Sequence, residues 1–192
     1  NFTMSYSKLV NVLDLEMELS RPQGSQIIEI GLTVVDAEKR QIVQSYSFPI
    51  KYPTQVPWPF NDVGYIEVPD ANKVTPEITA LTGWTEKKLI RQGEPLAKVT
   101  ERLATKYGAK NRLCVIDSED EFEPFKYPLG TMNPFGGKTF NISEMFRLKT
   151  RTFTGVSLLD MLKGCGLEFE GRQHSGKDDS YNIARVFLVL TN

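Results

Sequence analysis

The chain has few of the residues on which disulfide-stabilised and strongly charged proteins depend. Only two of its 192 residues are cysteines, Cys114 and Cys165, and only one is a histidine. Two cysteines do not form a disulfide framework, so we expect reduced thiols and a cytoplasmic protein. The net charge is −1, from 23 Lys and Arg against 24 Asp and Glu. No overall positive field attracts a polyanion, and binding of one would need a local groove or bound cations.

The sequence predicts neither a membrane span nor a secretory leader. No apolar run approaches the ~18 residues that a membrane-spanning helix needs. The start, Asn1 to Met4, has no basic segment followed by an apolar stretch, which predicts that there is no signal peptide. We expect residues 1–4 to be a cloning remnant or a disordered start. With 40% hydrophobic and 24% charged residues, residues 5–192 are expected to form one globular domain.

Hydrophobic periodicity predicts an α/β domain with a mixed sheet. The first predicted strand is apolar on both faces, which is typical of a central strand. The next two strands are joined by a short connection, which indicates an antiparallel hairpin. The predicted strands cover residues 8–16, 27–35, 42–50, 113–116 and 139–142, and a long loop covers 51–74. Two predicted helices begin at Thr75 and Ser143. Three more cover residues 94–107, 156–163 and 178–190.

Two carboxylates, Asp14 and Glu16, lie two residues apart on the first predicted strand. Side chains at this spacing leave a strand on the same face, so the two groups repel each other unless a cation lies between them. Hard divalent ions such as Mg²⁺ take oxygen ligands of this kind. The alternative is a strand end that emerges into solvent, where the same pair has no special role.

The single histidine, His174, lies five residues before Asp179, near the start of the last predicted helix. Histidine exchanges protons near neutral pH because its ordinary pKa is about 6.5. Asp179 lies four residues before Ile183 on the apolar stripe of the helix, so we expect its carboxyl group to face the sheet. Three carboxylates and one base are the minimum set for metal-assisted phosphodiester hydrolysis. The alternative is an ordinary helix start, where acidic residues complement the helix dipole.

In this order, Asp14-x-Glu16, a middle Asp and His174-x-x-x-x-Asp179 resemble the motifs of DEDDh 3′→5′ exonucleases, which have a ribonuclease-H-like fold. Other segments resemble the branch that trims small interfering RNA, histone mRNA and ribosomal RNA 3′ ends. These segments are Ile27 to Gly31, Thr75 to Gly83, Gly166 to Arg172 and Asp178 to Arg185. The resemblance covers residues 8–190 and implies a mixed five-stranded sheet flanked by helices.

The resemblance implies a metal-dependent exonuclease that releases 5′-mononucleotides from single-stranded 3′ ends, with RNA preferred to DNA. His174 would take the proton of the attacking water. Two Mg²⁺ or Mn²⁺ ions are implied, with Asp14, Glu16, Asp120 and Asp179 as their ligands. Substrate contacts are implied at Met17, Glu18, Leu81 and Trp84. Leu81 and Trp84 offer an apolar or stacking surface to the last nucleotide, or else they pack the end of a helix.

The chain departs from the family pattern at two places. Glu18 stands where the family usually has Thr, and an extra carboxylate there is expected to disturb a nearby phosphate. The middle motif is usually Gly-Asp-Trp-Asp-Leu, but residues 116–123 differ from it. Alignment from the preceding strand puts Asp120 at the metals, with Asp117 as the alternative. Two other functions stay open: a catalytically impaired nucleic-acid-binding relative, and a proofreading exonuclease on DNA.

Overall fold

A five-stranded mixed sheet with helices on both faces forms the centre of the computed structural model. The structure describes residues 7–21, 24–57, 64–118, 134–135 and 138–192. The strands in these ranges are β1 (Leu9–Glu18), β2 (Gln26–Asp36), β3 (Gln41–Pro49), β4 (Gln55–Pro57), β5 (Tyr65–Glu67), β6 (Cys114–Ile116) and β7 (Thr139–Asn141). The helices are α1 (Pro76–Thr82), α2 (Glu86–Gln92), α3 (Leu96–Thr105), α4 (Ile142–Thr150), α5 (Leu158–Gly164) and α6 (Gly176–Leu190).

The strand order of the large sheet is β3-β2-β1-β6-β7. The first three strands form an antiparallel meander, and its β2–β3 hairpin was predicted from the short connection after β2. β6 pairs with β1 in parallel, with Asn11 opposite Cys114, and β7 continues in parallel on its far side. Parallel neighbours end at the same edge of a sheet. The carboxyl end of β6 therefore lies beside the part of β1 that follows Val12. The mixed five-stranded sheet is therefore confirmed.

Helix α6 is held unusually close to the sheet at its first residue. It packs against β1, β2 and β3 through an apolar stripe that includes Ile183, Val186 and Phe187. At its amino end, a Cβ atom added to Gly31 of β2 would lie 1.8 Å from the carbonyl oxygen of Gly176. Only glycine at position 31 allows this approach, and it brings the first turn of α6 beside β1.

Several short elements differ from the sequence prediction. The predicted loop over residues 51–74 contains the β4–β5 hairpin, and the sequence analysis did not predict α2. The last helix begins at Gly176, two residues earlier than predicted, because the Ser175 side chain accepts a hydrogen bond from the Asp178 N–H and caps it. Helix α2 is capped in the same way by Thr85, a start signal that was present in the sequence. In the part of the chain that the structure describes, no helix is both long and apolar enough to span a membrane.

Candidate active site

The structure brings three of the site residues together at the end of β1. Glu16, His174 and Asp179 each offer one ligand atom, and these atoms lie within 4.8 Å of one another. β1 carries Glu16, the first turn of α6 carries Asp179, and the loop before α6 carries His174. Glu16 is distant in sequence from His174 and Asp179, so the cluster depends on the close docking of α6 on the sheet.

The backbone of His174 fixes the position of its side chain. His174 adopts a left-handed conformation, with φ of 61°. Few residues other than glycine adopt this conformation, so it requires support from the surrounding structure. The support comes from the backbone N–H of His174, which donates a hydrogen bond to Oδ2 of Asp179 over 3.1 Å. The loop therefore folds back over the helix start, and the exposed imidazole lies beside the carboxyl groups.

The carboxyl groups of this cluster hold their protons more tightly than ordinary carboxyls. Burial, followed by repulsion from Asp179 and Glu29, raises the pKa of Glu16 to about 8. Burial also raises the pKa of Asp179 to about 6. A hydrogen bond between the two groups raises the pKa of Glu16 and lowers that of Asp179. A cation placed between these groups would relieve the same repulsion.

Asp14 lies next to this cluster on β1, on the same face as Glu16. In the β1–β2 pairing, Asp14 is opposite Gly31 and Glu16 is opposite Glu29. Both partners on β2 contact the start of α6, which shows that the two β1 carboxyls point toward that helix. A hydrogen bond with Asp14 lowers the pKa of Glu16, against the larger effect of burial. The two carboxyls are therefore direct neighbours.

The middle motif is only partly within the described residues. Asp120 lies outside them, so its assignment as a metal ligand stays a prediction. Asp117, the alternative, directly follows β6 and is half-buried. Burial raises the pKa of Asp117 to about 6. Because β6 is parallel to β1, Asp117 lies at the same edge of the sheet as the β1 carboxyls.

Hydrogen bonds hold the side chain of Glu18 at the end of β1. Its side chain is buried, and its carboxylate accepts hydrogen bonds from the backbone N–H groups of Thr75 at 2.7 Å and Ser20 at 3.2 Å. Burial raises the pKa of Glu18, but the hydrogen bonds from Thr75 and Ser20 outweigh it, and the net pKa is lowered. Glu18 therefore anchors the start of α1 to the end of β1. The expected effect of Glu18 on a nearby phosphate stays a prediction.

The other substrate-contact candidates lie around the same edge. Met17 is half-buried, and the pairing of β1 with β2 shifts register between Glu16 and Met17. Leu81 is in the last turn of α1 and is 48% exposed, so it offers an apolar surface to solvent. Trp84 is half-buried, and its indole Nε1 donates a hydrogen bond to Glu29. Leu81 is thus available for contact, whereas Trp84 is fixed by an interior partner.

Glu29 is a site residue that sequence reasoning missed. It is 2% exposed and lies on β2 directly opposite Glu16. Its carboxylate accepts hydrogen bonds from Trp84 Nε1 at 2.6 Å, Ser47 Oγ at 2.9 Å and the backbone N–H of Lys177 at 3.2 Å. The sequence did contain a signal, because Glu29 is a single acidic residue in an otherwise apolar run, and a buried carboxylate needs several donors.

Comparison with known sequences gives partial matches. No protein-family model matches the chain. The chain is 31% identical to 3′-5′ exoribonuclease 1 of Rattus norvegicus over 141 residues, which cover 64% of this chain and 39% of the relative. It is 24% identical to the Homo sapiens protein of the same name over 212 residues, which cover 99% of this chain and 54% of that protein. The chain thus spans about half or less of the curated relatives that it matches.

Solved structures share the fold over nearly the whole chain. The nuclease domain of 3′hExo bound to rAMP, described as a DEDDh family member, has a TM-score of 0.73 and 18% identity, covering 96% of this chain and 92% of that chain. A 3′-exonuclease that recognises the histone mRNA stem-loop has a TM-score of 0.71 and 19% identity, covering 96% and 81%. These structures confirm the ribonuclease-H-like fold. The sequence relatives agree with the resemblance to 3′→5′ exonucleases.

Proposed function

We propose that the chain is a metal-dependent 3′→5′ exonuclease that releases 5′-mononucleotides from single-stranded ends, with RNA as its preferred substrate. The observation that carries this proposal is the meeting of Glu16, Asp179 and His174 within 4.8 Å at the end of β1. Similarity to proteins named 3′-5′ exoribonuclease 1 supports both the direction of attack and the choice of RNA.

The donor set of the site fits hard divalent ions. Carboxylate oxygens are the ligands that Mg²⁺ and Mn²⁺ prefer. Burial raises the pKa values of Glu16 and Asp179, repulsion from neighbouring carboxylates raises them further, and a bound cation reduces that repulsion. Asp14, Glu16 and Asp179 would hold two ions, together with Asp120 or Asp117 from the middle motif. When bound, such ions supply an activated water and stabilise the leaving 3′ oxygen.

The protein's own residues supply the proton acceptor and the binding surface. His174 is exposed, so its imidazole can take a proton from an attacking water and return it to solvent. Asp179 holds the His174 backbone through the hydrogen bond at 3.1 Å, which keeps the ring beside the carboxyl groups. Leu81 offers an apolar surface to the base of the last nucleotide, a contact that tolerates any base.

A time course on 5′-labelled single-stranded RNA and DNA tests this function. Activity should be absent with chelator, return with Mg²⁺ or Mn²⁺ and fail with Ca²⁺, whose larger and looser coordination shell does not position the water. RNA should be shortened to a descending ladder, faster than DNA of the same sequence. Immediate release of a 5′-labelled mononucleotide, or internal cuts in a circular strand, would contradict the proposal.

A further inference from the structure

A cleft of about 360 Å³ opens beside the candidate active site. It lies between the segment that follows α1, helix α2 and the start of α6. Its lining includes Gly83, Trp84, Lys88, Arg172, Ser175 and Lys177. Ser175 directly follows His174, and Trp84 lies three residues after the exposed Leu81, so the cleft adjoins the two segments that carry these site candidates.

Two of these cations converge on Gly83. The ammonium of Lys88 donates a hydrogen bond to the Gly83 carbonyl oxygen at 2.8 Å. Arg172 donates from Nη2 to the Leu81 carbonyl oxygen at 3.3 Å, and a Cβ atom added to Gly83 would lie 1.9 Å from Nη1 of Arg172. The guanidinium thus packs directly on the glycine backbone. Lys177 adds a third positive side chain, and all three side chains are exposed.

Two carboxylates, Glu29 and Asp178, also line the cleft, and both accept hydrogen bonds from neutral donors. Glu29 is buried and accepts three hydrogen bonds, and Asp178 accepts one from the Arg172 backbone N–H at 2.9 Å. The ion pairs of the described residues include none from Lys88, Arg172 or Lys177 to a carboxylate. The cleft therefore carries three exposed basic side chains against one buried and one half-buried carboxylate, which gives it an excess of positive charge.

We propose that this cleft binds the phosphodiester backbone of the single strand, on the 5′ side of the nucleotide held in the active site. This inference rests on the proposed function, because it assigns the path by which the strand reaches that site. The chain's net charge of −1 offers no long-range attraction, so a local groove of cations supplies it. Lysine and arginine contacts to phosphate carry no sequence information, so the binding is independent of base sequence.

Binding of a labelled 12-nucleotide RNA at several salt concentrations tests the cleft without depending on turnover. The titrations use Ca²⁺ buffer, and the length of the RNA is verified after each one. For single strands, each phosphate contact contributes about 0.7 to the slope of log affinity against log salt, or about fivefold in affinity at 0.1 M salt. Lys88→Gln with Arg172→Gln should therefore weaken binding about 25-fold and lower the slope by about 1.4.

Matched measurements separate the cleft from a general effect of charge. Lys87→Gln removes the same charge from the same helix at a position outside the cleft lining, and should leave RNA affinity within about twofold. Binding of 5′-adenosine monophosphate, which has no upstream phosphate, should not change in the double variant. Arg172→Lys should retain most of the affinity, because the lysine ammonium keeps the positive charge and also donates hydrogen bonds to phosphate oxygens.

Three outcomes would overturn the inference: an unchanged salt slope in the double variant, an equal loss with Lys87→Gln, or no binding of the RNA by the wild-type protein. The proposed function is decided separately, by degradation of RNA by the wild-type protein in Mg²⁺. A wild-type protein that binds RNA through the cleft but does not degrade it would refute the proposed exonuclease activity and support the proposed binding site.

Discussion

Nε1 of Trp84 donates a hydrogen bond to Oε2 of Glu29 over 2.6 Å. The other oxygen of this buried carboxylate accepts from Ser47 Oγ and from the backbone N–H of Lys177 in the first turn of α6. Glu29 therefore links the segment after α1, beside the expected nucleotide position, to the helix that carries Asp179. We regard it as a positioning residue for the candidate site.

Glu29→Gln should destabilise the protein and lower its activity. The amide keeps the shape of the side chain, but one of the two oxygens becomes an NH₂ group, which is a donor. In either orientation this group faces another donor: the Trp84 indole in one, and Ser47 and Lys177 in the other. Hydrogen bonds to a charged group contribute about 1.5–3 kcal/mol, so we expect a loss of this size in the free energy of unfolding by urea. Ser47→Ala, which removes one exposed donor, should cost less. Equal stability of Glu29→Gln and the wild-type protein would show that this link is unimportant.

Gly31→Ala should displace the start of α6 and with it Asp179 and His174. The added Cβ would lie 1.8 Å from a backbone oxygen of Gly176, which no rotamer change can relieve. We expect a loss of about 1–3 kcal/mol in unfolding free energy and a fall in turnover. Gly155→Ala is the control, since a Cβ at that position meets nothing within 4 Å. If both variants retain wild-type stability and turnover, the close approach does not position the site.

His174→Ala should lower turnover by roughly 10²–10⁴-fold, the usual contribution of a general base. Binding of RNA and of Mn²⁺ should be largely kept, because the backbone N–H that bonds Asp179 is unchanged. Steady-state kinetics on single-stranded RNA measures the effect, and Gln173→Ala, at the preceding exposed position, is the control. Degradation by His174→Ala at the wild-type rate would refute the mechanism.

Asp120→Asn should abolish activity, while Asp117→Asn should have a mild effect, because alignment from β6 puts Asp120 at the metals. The half-buried position of Asp117 at the sheet edge makes the comparison informative, since that carboxyl also lies at the end of β6. Both variants are assayed on RNA over a range of Mn²⁺ concentrations. The reverse pattern would assign the metal ligand to Asp117.

Local patterns predicted the large sheet and most of the longer helices, because alternation and capping residues act over a few neighbours. They also predicted that Asp14 and Glu16 share a face and that Asp179 turns toward the sheet. The environments of Glu18 and Glu29 were not predictable in this way. Glu18 meets Thr75, 57 positions away, and Glu29 meets Lys177, 148 positions away. Such contacts depend on the tertiary fold, and so does the short β4–β5 hairpin. Helix α2 has a local start signal in Thr85, but a helix of seven residues is stable only when it packs in the tertiary fold.

Mn²⁺ should raise the melting temperature of the protein more at pH 8.5 than at pH 6. The pKa values of Glu16 and Asp179 are raised to about 8 and about 6, above their ordinary values of 4.5 and 3.8. The folded, metal-free protein therefore binds more protons than the unfolded chain, and its stability falls as pH rises through this range. A divalent ion must displace those protons, so its stabilising effect increases with pH up to about 8.

Thermal unfolding with chelator or Mn²⁺ at both pH values measures the difference, with Glu38→Gln as an exposed control distant from the cluster. A shift of equal size at both pH values, or one that survives Asp179→Asn, would mean that the ion binds elsewhere.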